Sequence, residues 1–388
     1  MATAALPHDT TTPPPVNGRV LAIAAAALLV VAGLAYAERG LNQALLVGIG
    51  ALLGLSLYHA SFGFTSAWRR FIQTGEGAGL RAQMLMLAIA VCLFFPPLAA
   101  GELFGSRVGG FVAPVGMSVA IGAFIFGIGM QLGGGCASGT LFTVGGGSTR
   151  MVITLICFIL GSVIATHHLG WWLSLPNMGP YSIVKQWGLG PALAAHLGLF
   201  AAVAAITWLV EKRAGISAKP PVIGNLLRGP WPIIWGAVAL ALLNFATLVL
   251  AGRPWGITSG FALWGAKWFD MAGVDVQSWS YWARSTAVDA SIFRDTTSVM
   301  NFGIIAGAMA AAALAGKFAP NLKLSRRDVL TAIIGGLLLG YGARLAFGCN
   351  IGAFFSGIAS SSLHGWLWLV CGFLGNIVGT RVRTAVGL

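Results

Sequence analysis

Charge is what this sequence has least of. Asp, Glu, Lys and Arg together make up 9% of the 388 residues, against about 25% in an ordinary soluble domain. So few charges cannot clothe a water-facing surface, and lipid is the expected main solvent. Paired cysteines are missing as well. Cys92, Cys136, Cys157, Cys349 and Cys371 are odd in number, lie in or beside apolar runs, and show neither CxxC nor zinc-type spacing. A disulfide framework and a metal site of that kind are therefore excluded. The histidines at 59, 167, 168, 196 and 364 lack metal spacing too, so packing or hydrogen bonding is their expected role. No ATP-binding motif and no other cofactor signature occurs, which leaves a gradient or metabolic consumption to drive any transport. No charged n-region precedes the first apolar run, so no cleavable signal peptide is expected. The Thr/Pro-rich residues 1–18 are expected to form a disordered tail, with Val20–Tyr36 a retained span.

Hydrophobic residues account for 57% of the chain. At roughly 20 apolar residues per crossing, ten segments of spanning length can be drawn, near 19–37, 41–59, 82–100, 112–131, 151–168, 190–210, 231–251, 298–316, 329–346 and 365–383. The net charge of +13 does not point to nucleic acid, because Lys and Arg sit in short clusters between these runs without a basic stripe of interleaved aromatics. That distribution follows the positive-inside rule. With the N-terminus in the cytoplasm, the cytoplasmic loops hold Arg69, Arg70, Arg81, Arg150, Lys212, Arg213, Lys219, Arg228, Lys317, Lys323, Arg326 and Arg327, and Arg19, Arg381 and Arg383 join them. Outside lie Arg39, Arg107 and Lys185, then a long 252–297 segment whose length makes its charges count little. Trp255, Trp264, Trp268, Trp279 and Trp282 in and around that segment are expected to anchor at the membrane interface.

An internal repeat carries the most information. GIGMQLGGGCASGTLFTVGG from Gly127 and GYGARLAFGCNIGAFFSGIA from Gly340 share GxGxxLxxGCxxGxxF without a gap. One residue of slippage later, CFILGSVIAT (157–166) aligns with CGFLGNIVGT (371–380). Upstream, SFGFTSAW (61–68) pairs with PWGITSGF (254–261), both aromatic-Gly-x-Thr-Ser. The order within each half is the same, giving repeats at 19–189 and 190–388. The span before Gly63 runs outside to inside and its partner before Gly256 inside to outside, so the repeats are expected to be inverted. Two inverted five-span repeats with broken or re-entrant half-helices form a transporter plan, with the substrate near the midplane.

Glycines 133–135 before Cys136 and Gly348 before Cys349 let the backbone leave helical geometry and let a ligand approach. A helix restarting after such a break exposes free N–H groups and a positive dipole end, an anion site without a charged side chain. The candidate donors flanking each break are Gly135, Ala137, Ser138 and Gly139 in the first copy, and Asn350, Ile351 and Gly352 in the second. The thiols of Cys136 and Cys349 add soft, weakly donating sulfur suited to a sulfur-bearing anion. Cys92, Cys157 and Cys371 are expected to be small apolar core residues. Arg344 lies inside an apolar run, where an ionisable residue points to function or caps carbonyls at the break; its repeat counterpart is Gln131. Thr65, Ser66, Thr258 and Ser259 in the GxTS elements can bind an oxyanion or satisfy freed carbonyls.

These motifs resemble the YeeE/YedE family of bacterial membrane proteins. GYGARLAFGCNIGAFFSGIASSSLHGW (340–366) and the FTSAW element are close to the family pattern, and the resemblance covers about 41–383. It implies uptake of thiosulfate across the cytoplasmic membrane, with Cys136 and Cys349 passing the ion along through S–H hydrogen bonds; the basic loops, independently, put both termini in the cytoplasm. Some members are linked to selenium metabolism, and some work with a small cytoplasmic sulfur-carrier protein. Many relatives carry a further cysteine directly before Phe-Thr-Ser-Ala, where this chain has Gly63 and, in the second copy, Gly256. The alternatives to thiosulfate transport are a selenium-species transporter and a membrane sulfurtransferase acting through a cysteine persulfide.

Overall fold

A computed structural model describes residues 14–216 and 224–388. Residues 1–13 of the expected tail, and Lys219, lie outside the described residues. The chain folds almost wholly into helices. The first half contains α1 (Gly18–Arg39), α2 (Leu41–His59), α3 (Phe64–Thr74), α4 (Ala78–Ala100), α5 (Met117–Gly133), α6 (Ala137–Gly145) and α7 (Thr149–Ser174). A short α8 (Ile183–Trp187) leads to the second, with α9 (Leu189–Arg213), α10 (Ile233–Ala251), α11 (Thr258–Met271), α12 (Thr296–Leu314) and α13 (Arg326–Leu345). A π turn over Asn350–Phe355 then runs into α14 (Ser356–Ala359), and α15 (Leu363–Ala385) ends the chain. Two short antiparallel strand pairs are the sheet among the described residues, Glu102–Leu103 with Ser106–Arg107 and Pro114–Gly116 with Asn177–Pro180.

Among the described residues, ten helical stretches are long and apolar enough to cross a membrane. Each overlaps one of the expected segments, though α5 begins only at Met117, α7 runs to Ser174, six residues past its expected end, and the three broken stretches extend further, to Thr74, Gly145 and Ala359. Three of the ten carry the breaks: α2 with α3, α5 with α6, and α13 with the π turn and α14. This is a multi-pass membrane protein. Its outer face is apolar: Leu29, Val30 and Ile23 of α1, and Ile206 and Trp208 of α9, are exposed. The inside is filled by α5, α13 and the half-helices, whose apolar side chains belong to one large cluster with both Cys136 and Cys349.

Lipid tails give apolar helices no hydrophobic reason to associate, so close backbone approach must supply the contact. The helix seams are glycine-lined accordingly. A Cβ at Gly340 of α13 would stand 2.5 Å from the Ser162 nitrogen of α7, and one at Gly127 of α5 would stand 2.7 Å from the Asn376 nitrogen of α15. The packing partners repeat between halves. α2 packs on α12 as α10 packs on α4; α7 packs on α13 as α15 packs on α5; α1 packs on α12 as α9 packs on α4; and α5 packs directly on α13. Each relation maps onto another when α1–α7 are exchanged for α9–α15.

Three expectations need correction. The 252–297 segment is not simply an external loop, because α11 within it packs on α7, α12 and α13. Trp255, Trp264 and Trp282 are buried rather than anchored at an interface. Trp264 donates to Ser298 Oγ at 2.8 Å and Trp282 to Thr166 Oγ1 at 3.1 Å; only Trp268 presents a largely open ring. An indole can enter a membrane protein's interior once its N–H finds a partner. Cys92 faces outward rather than filling the core, and Cys371 is half-buried.

Candidate functional site

Both GC elements break their helix, by different backbone means. α5 ends at Gly133, and Gly134 then takes the left-handed conformation with φ +88°. In the second copy the equivalent left-handed residue is Phe347, φ 57°. A left-handed non-glycine costs about 1–2 kcal/mol, and such strain collects at functional sites. Arg150 completes the first break by donating to the carbonyls of Gly133 at 2.9 Å and Leu132 at 2.7 Å. The sequence reading had placed Arg150 only as a cytoplasmic loop charge.

The cysteines stand at the N-cap of each restarted helix. Gly139 N–H donates to Cys136 Sγ at 3.5 Å, and Ile351 N–H donates to Cys349 Sγ at 3.4 Å. An N-cap is ordinarily a serine, threonine, aspartate or asparagine oxygen. Here a soft sulfur holds that place, at the positive end of a half-helix. The expected backbone donors are therefore partly in use: Gly139 and Ile351 are engaged by the thiols themselves. Ser138 is buried with its hydroxyl 3.3 Å from Cys136 Sγ. The second copy opens with a π turn, a distortion common at functional sites. α6 packs against that turn, so the two GC elements meet inside the molecule.

A cavity of about 250 Å³ reaches this region and is lined by Arg253, Trp255, Thr258, Ser259, Tyr281, Arg344, Phe347, Gly348 and Gly352, among others. Arg344 is 7% exposed. It donates to the Tyr281 hydroxyl at 2.8 Å and lies 5.2 Å over that ring. Among the described residues it pairs with no carboxylate and donates to no broken-helix carbonyl. Arg253 shares the cavity, held by Thr297 Oγ1 at 3.2 Å, and also lines a wider vestibule of about 720 Å³ with Arg39, Arg284 and Arg294. Arg253 and Tyr281 were not singled out from sequence. Arg253 could have been, since it directly precedes the PWGITS element.

The GxTS elements divide. Thr258 and Ser259 line the cavity, with Ser259 also donating to Thr297 at 3.1 Å. Ser66 instead returns its hydroxyl to the Gly63 carbonyl at 3.1 Å. Thr65 is buried, and its hydroxyl has no partner among the described residues. Gln131, the counterpart of Arg344, bonds Thr65, Asn376 and Arg69, which closes the equivalent place in the first half. Three of the histidines bond within the fold. His59 meets the Leu227 carbonyl at 3.1 Å, His196 the Ala192 carbonyl at 2.7 Å, and His364 the Ser362 hydroxyl at 2.6 Å. A further cavity of about 430 Å³ lies at the far end of α6, among Thr143, Arg150, Lys323 and Asp328.

The protein-family model described as sulphur transport matches residues 59–378. The thiosulfate transporter TsuA of Spirochaeta thermophila is 30% identical over 346 residues, covering 84% of this chain and 95% of that protein. TsuA of Escherichia coli is 24% identical over 349 residues, 84% of this chain and 90% of that protein. The probable transporter YedE of Escherichia coli is 33% identical over 151 residues, 39% of this chain, and the match spans only 37% of YedE's length.

Proposed function

The chain belongs to the sulphur transport family, and on that premise we propose that it takes up thiosulfate, or a closely related sulfur-containing anion, across the cytoplasmic membrane. One observation carries the reading. A cavity lined by two arginines without carboxylate partners among the described residues is also lined by Gly348 and Gly352, on either side of Cys349, whose thiol caps a half-helix. The arginines gather the anion, the helix end holds its charge, and the polarizable thiols of Cys349 and then Cys136 meet its sulfur. The cavity at the far end of α6 serves as the inner exit.

The exchange of packing partners between α1–α7 and α9–α15 supports two repeats divided near residue 189. Each repeat holds five crossings, an odd number, so a second copy entering from the side the first leaves is inverted. Both termini then lie in the cytoplasm, the side richer in loop Lys and Arg. The vestibule with Arg39 and Arg284 opens outside. Transport proceeds without covalent chemistry in this scheme. The polar contacts of the thiols are backbone N–H groups and one serine hydroxyl, not a general base. A small sulfur-carrier protein in the cytoplasm is the proposed recipient.

Uptake of labelled thiosulfate by vesicles containing the purified chain tests the proposal, with Cys136→Ser and Cys349→Ser alongside. Serine is a good N-cap, so both variants should fold and melt like the parent while uptake falls at least tenfold. Full uptake by both would exclude the thiol relay. An intact chain that carries a selenium anion but not thiosulfate would reassign the substrate, and a persulfide trapped on Cys349 during turnover would favour sulfur transfer.

A further inference from the structure

Two buried polar groups beside Cys349 are left unused by the fold. Asn350 is fully buried, yet neither its side-chain nitrogen nor its oxygen has a hydrogen-bond partner among the described residues. Trp255 is 1% exposed, and its indole N–H is likewise unpartnered. Burying such groups without bonds destabilises a protein, and most buried polar groups avoid it.

The rest of Trp255 is fully committed. Its backbone N–H donates to Asn244 Oδ1 at 2.8 Å, and its carbonyl accepts from Ser356 Oγ at 2.6 Å. Asn244 Nδ2 also donates to Ser356 at 3.2 Å, closing the network. Ser356 begins α14, directly after the π turn that starts with Asn350. Trp255 is thus tied to the segment that carries both Asn350 and Cys349, and it is one of the residues that line the cavity. Gly348 and Gly352, two residues to either side of Asn350, line the same cavity, and a Cβ at Gly352 would meet nothing within 4 Å. The repeat supplies an internal control. Where the second half has Asn350 and Trp255, the first has Ala137 and Phe62. The shared architecture therefore requires neither polar group.

We propose that the Trp255 indole N–H and the Asn350 amide N–H bind the oxygen end of the transported anion while Cys349 faces its sulfur. This station rests on the reading of the chain as a sulfur-anion carrier and adds the choice of oxyanion to it. Arg253 and Arg344 attract any anion, whereas two fixed donors require acceptor oxygens at a defined separation. Both donors are neutral, and a site that must also release its ion gains from that: binding strong enough to admit the ion must stay weak enough to let it leave.

The test uses the full chain in vesicles and in detergent. Trp255→Phe keeps an aromatic ring and removes the donor; Asn350→Leu keeps the branched shape and removes both polar atoms. Each variant should raise the KM for thiosulfate about tenfold or more, the scale of one hydrogen bond to a charged group. The ligand-free melting temperature should stay level or rise, because an orphaned group is gone, and thiosulfate should stabilise the variants less than the parent. An unchanged KM in either variant would overturn the station. So would a fall in ligand-free melting temperature matched by a proportional loss of active protein, the signature of a structural role. If the intact chain carries no thiosulfate, the substrate reading itself fails, a result distinct from parent transport with unaffected variants.

Discussion

Replacing Arg344 with glutamine makes the second repeat resemble the first, where Gln131 occupies the matching position. The guanidinium is nearly sealed from solvent, and among the described residues its one side-chain bond is to the Tyr281 hydroxyl. An anion in the cavity would sit roughly 6 Å from that charge, and at an effective dielectric constant of about 20 the attraction is roughly 3 kcal/mol for each unit of its negative charge. Much of this is lost to desolvating the ion, so a net effect of about 1–3 kcal/mol is expected, or roughly a 5–150-fold rise in KM. Uptake into vesicles at several thiosulfate concentrations reads this directly. Repeating the series at two ionic strengths adds a second readout, because long-range attraction is screened by salt and the variant should respond to salt less steeply than the parent. Tyr281→Phe is the control: it removes the 2.8 Å bond but keeps the cation, and its KM should move by a factor of a few. If Arg344→Gln transports with the parent's KM and salt response, the arginine merely stacks on Tyr281 and the account of the cavity is wrong.

Arg150→Ala strips the Leu132 carbonyl of its Arg150 donor and leaves the Gly133 carbonyl with Thr154 Oγ1 at 3.3 Å; at about 1–3 kcal/mol for a group left unsatisfied, a clear drop in melting temperature in detergent is expected, and an unchanged value would remove Arg150 from the helix break. Gly340→Val drives a side chain into the α7 backbone, so the variant should elute from size exclusion as aggregate; a monodisperse, active product would contradict the close seam between α7 and α13. At the left-handed positions the two copies should differ. Gly134→Ala forces a Cβ into φ +88° and should lose about 1–2 kcal/mol, whereas Phe347→Gly relieves strain of that size while giving up ring packing, and should melt within a few degrees of the parent. Equal destabilisation by both would show that the strain at Phe347 is not real.

Much of this molecule was legible before any coordinates. The spans could be read because hydropathy over about 20 residues responds to bilayer thickness rather than to tertiary contacts. The breaks could be read because glycine clusters interrupt the same motif twice, around Cys136 and around Cys349. What could not be read was which way each apolar side chain points. In a lipid-bound chain both the interior and the outer face are apolar, so Trp255, Trp264 and Trp282 have the composition of interfacial anchors yet lie inside, and Cys92 has the composition of a core residue yet lies outside. The cavity was also hidden, because its walls come from α11, the segment after α10, the loop bearing Tyr281 and the broken end of α13. No local pattern links Arg253 to Arg344, 91 positions further on. Ten crossings, a duplicated broken helix and a thiol in each copy follow from the order of residues alone. Folding adds that those thiols cap their half-helices, that two arginines share one cavity, and that Asn350 and Trp255 keep donors without partners among the described residues. Those are matters of distance between remote segments, and a one-dimensional pattern carries no information about them.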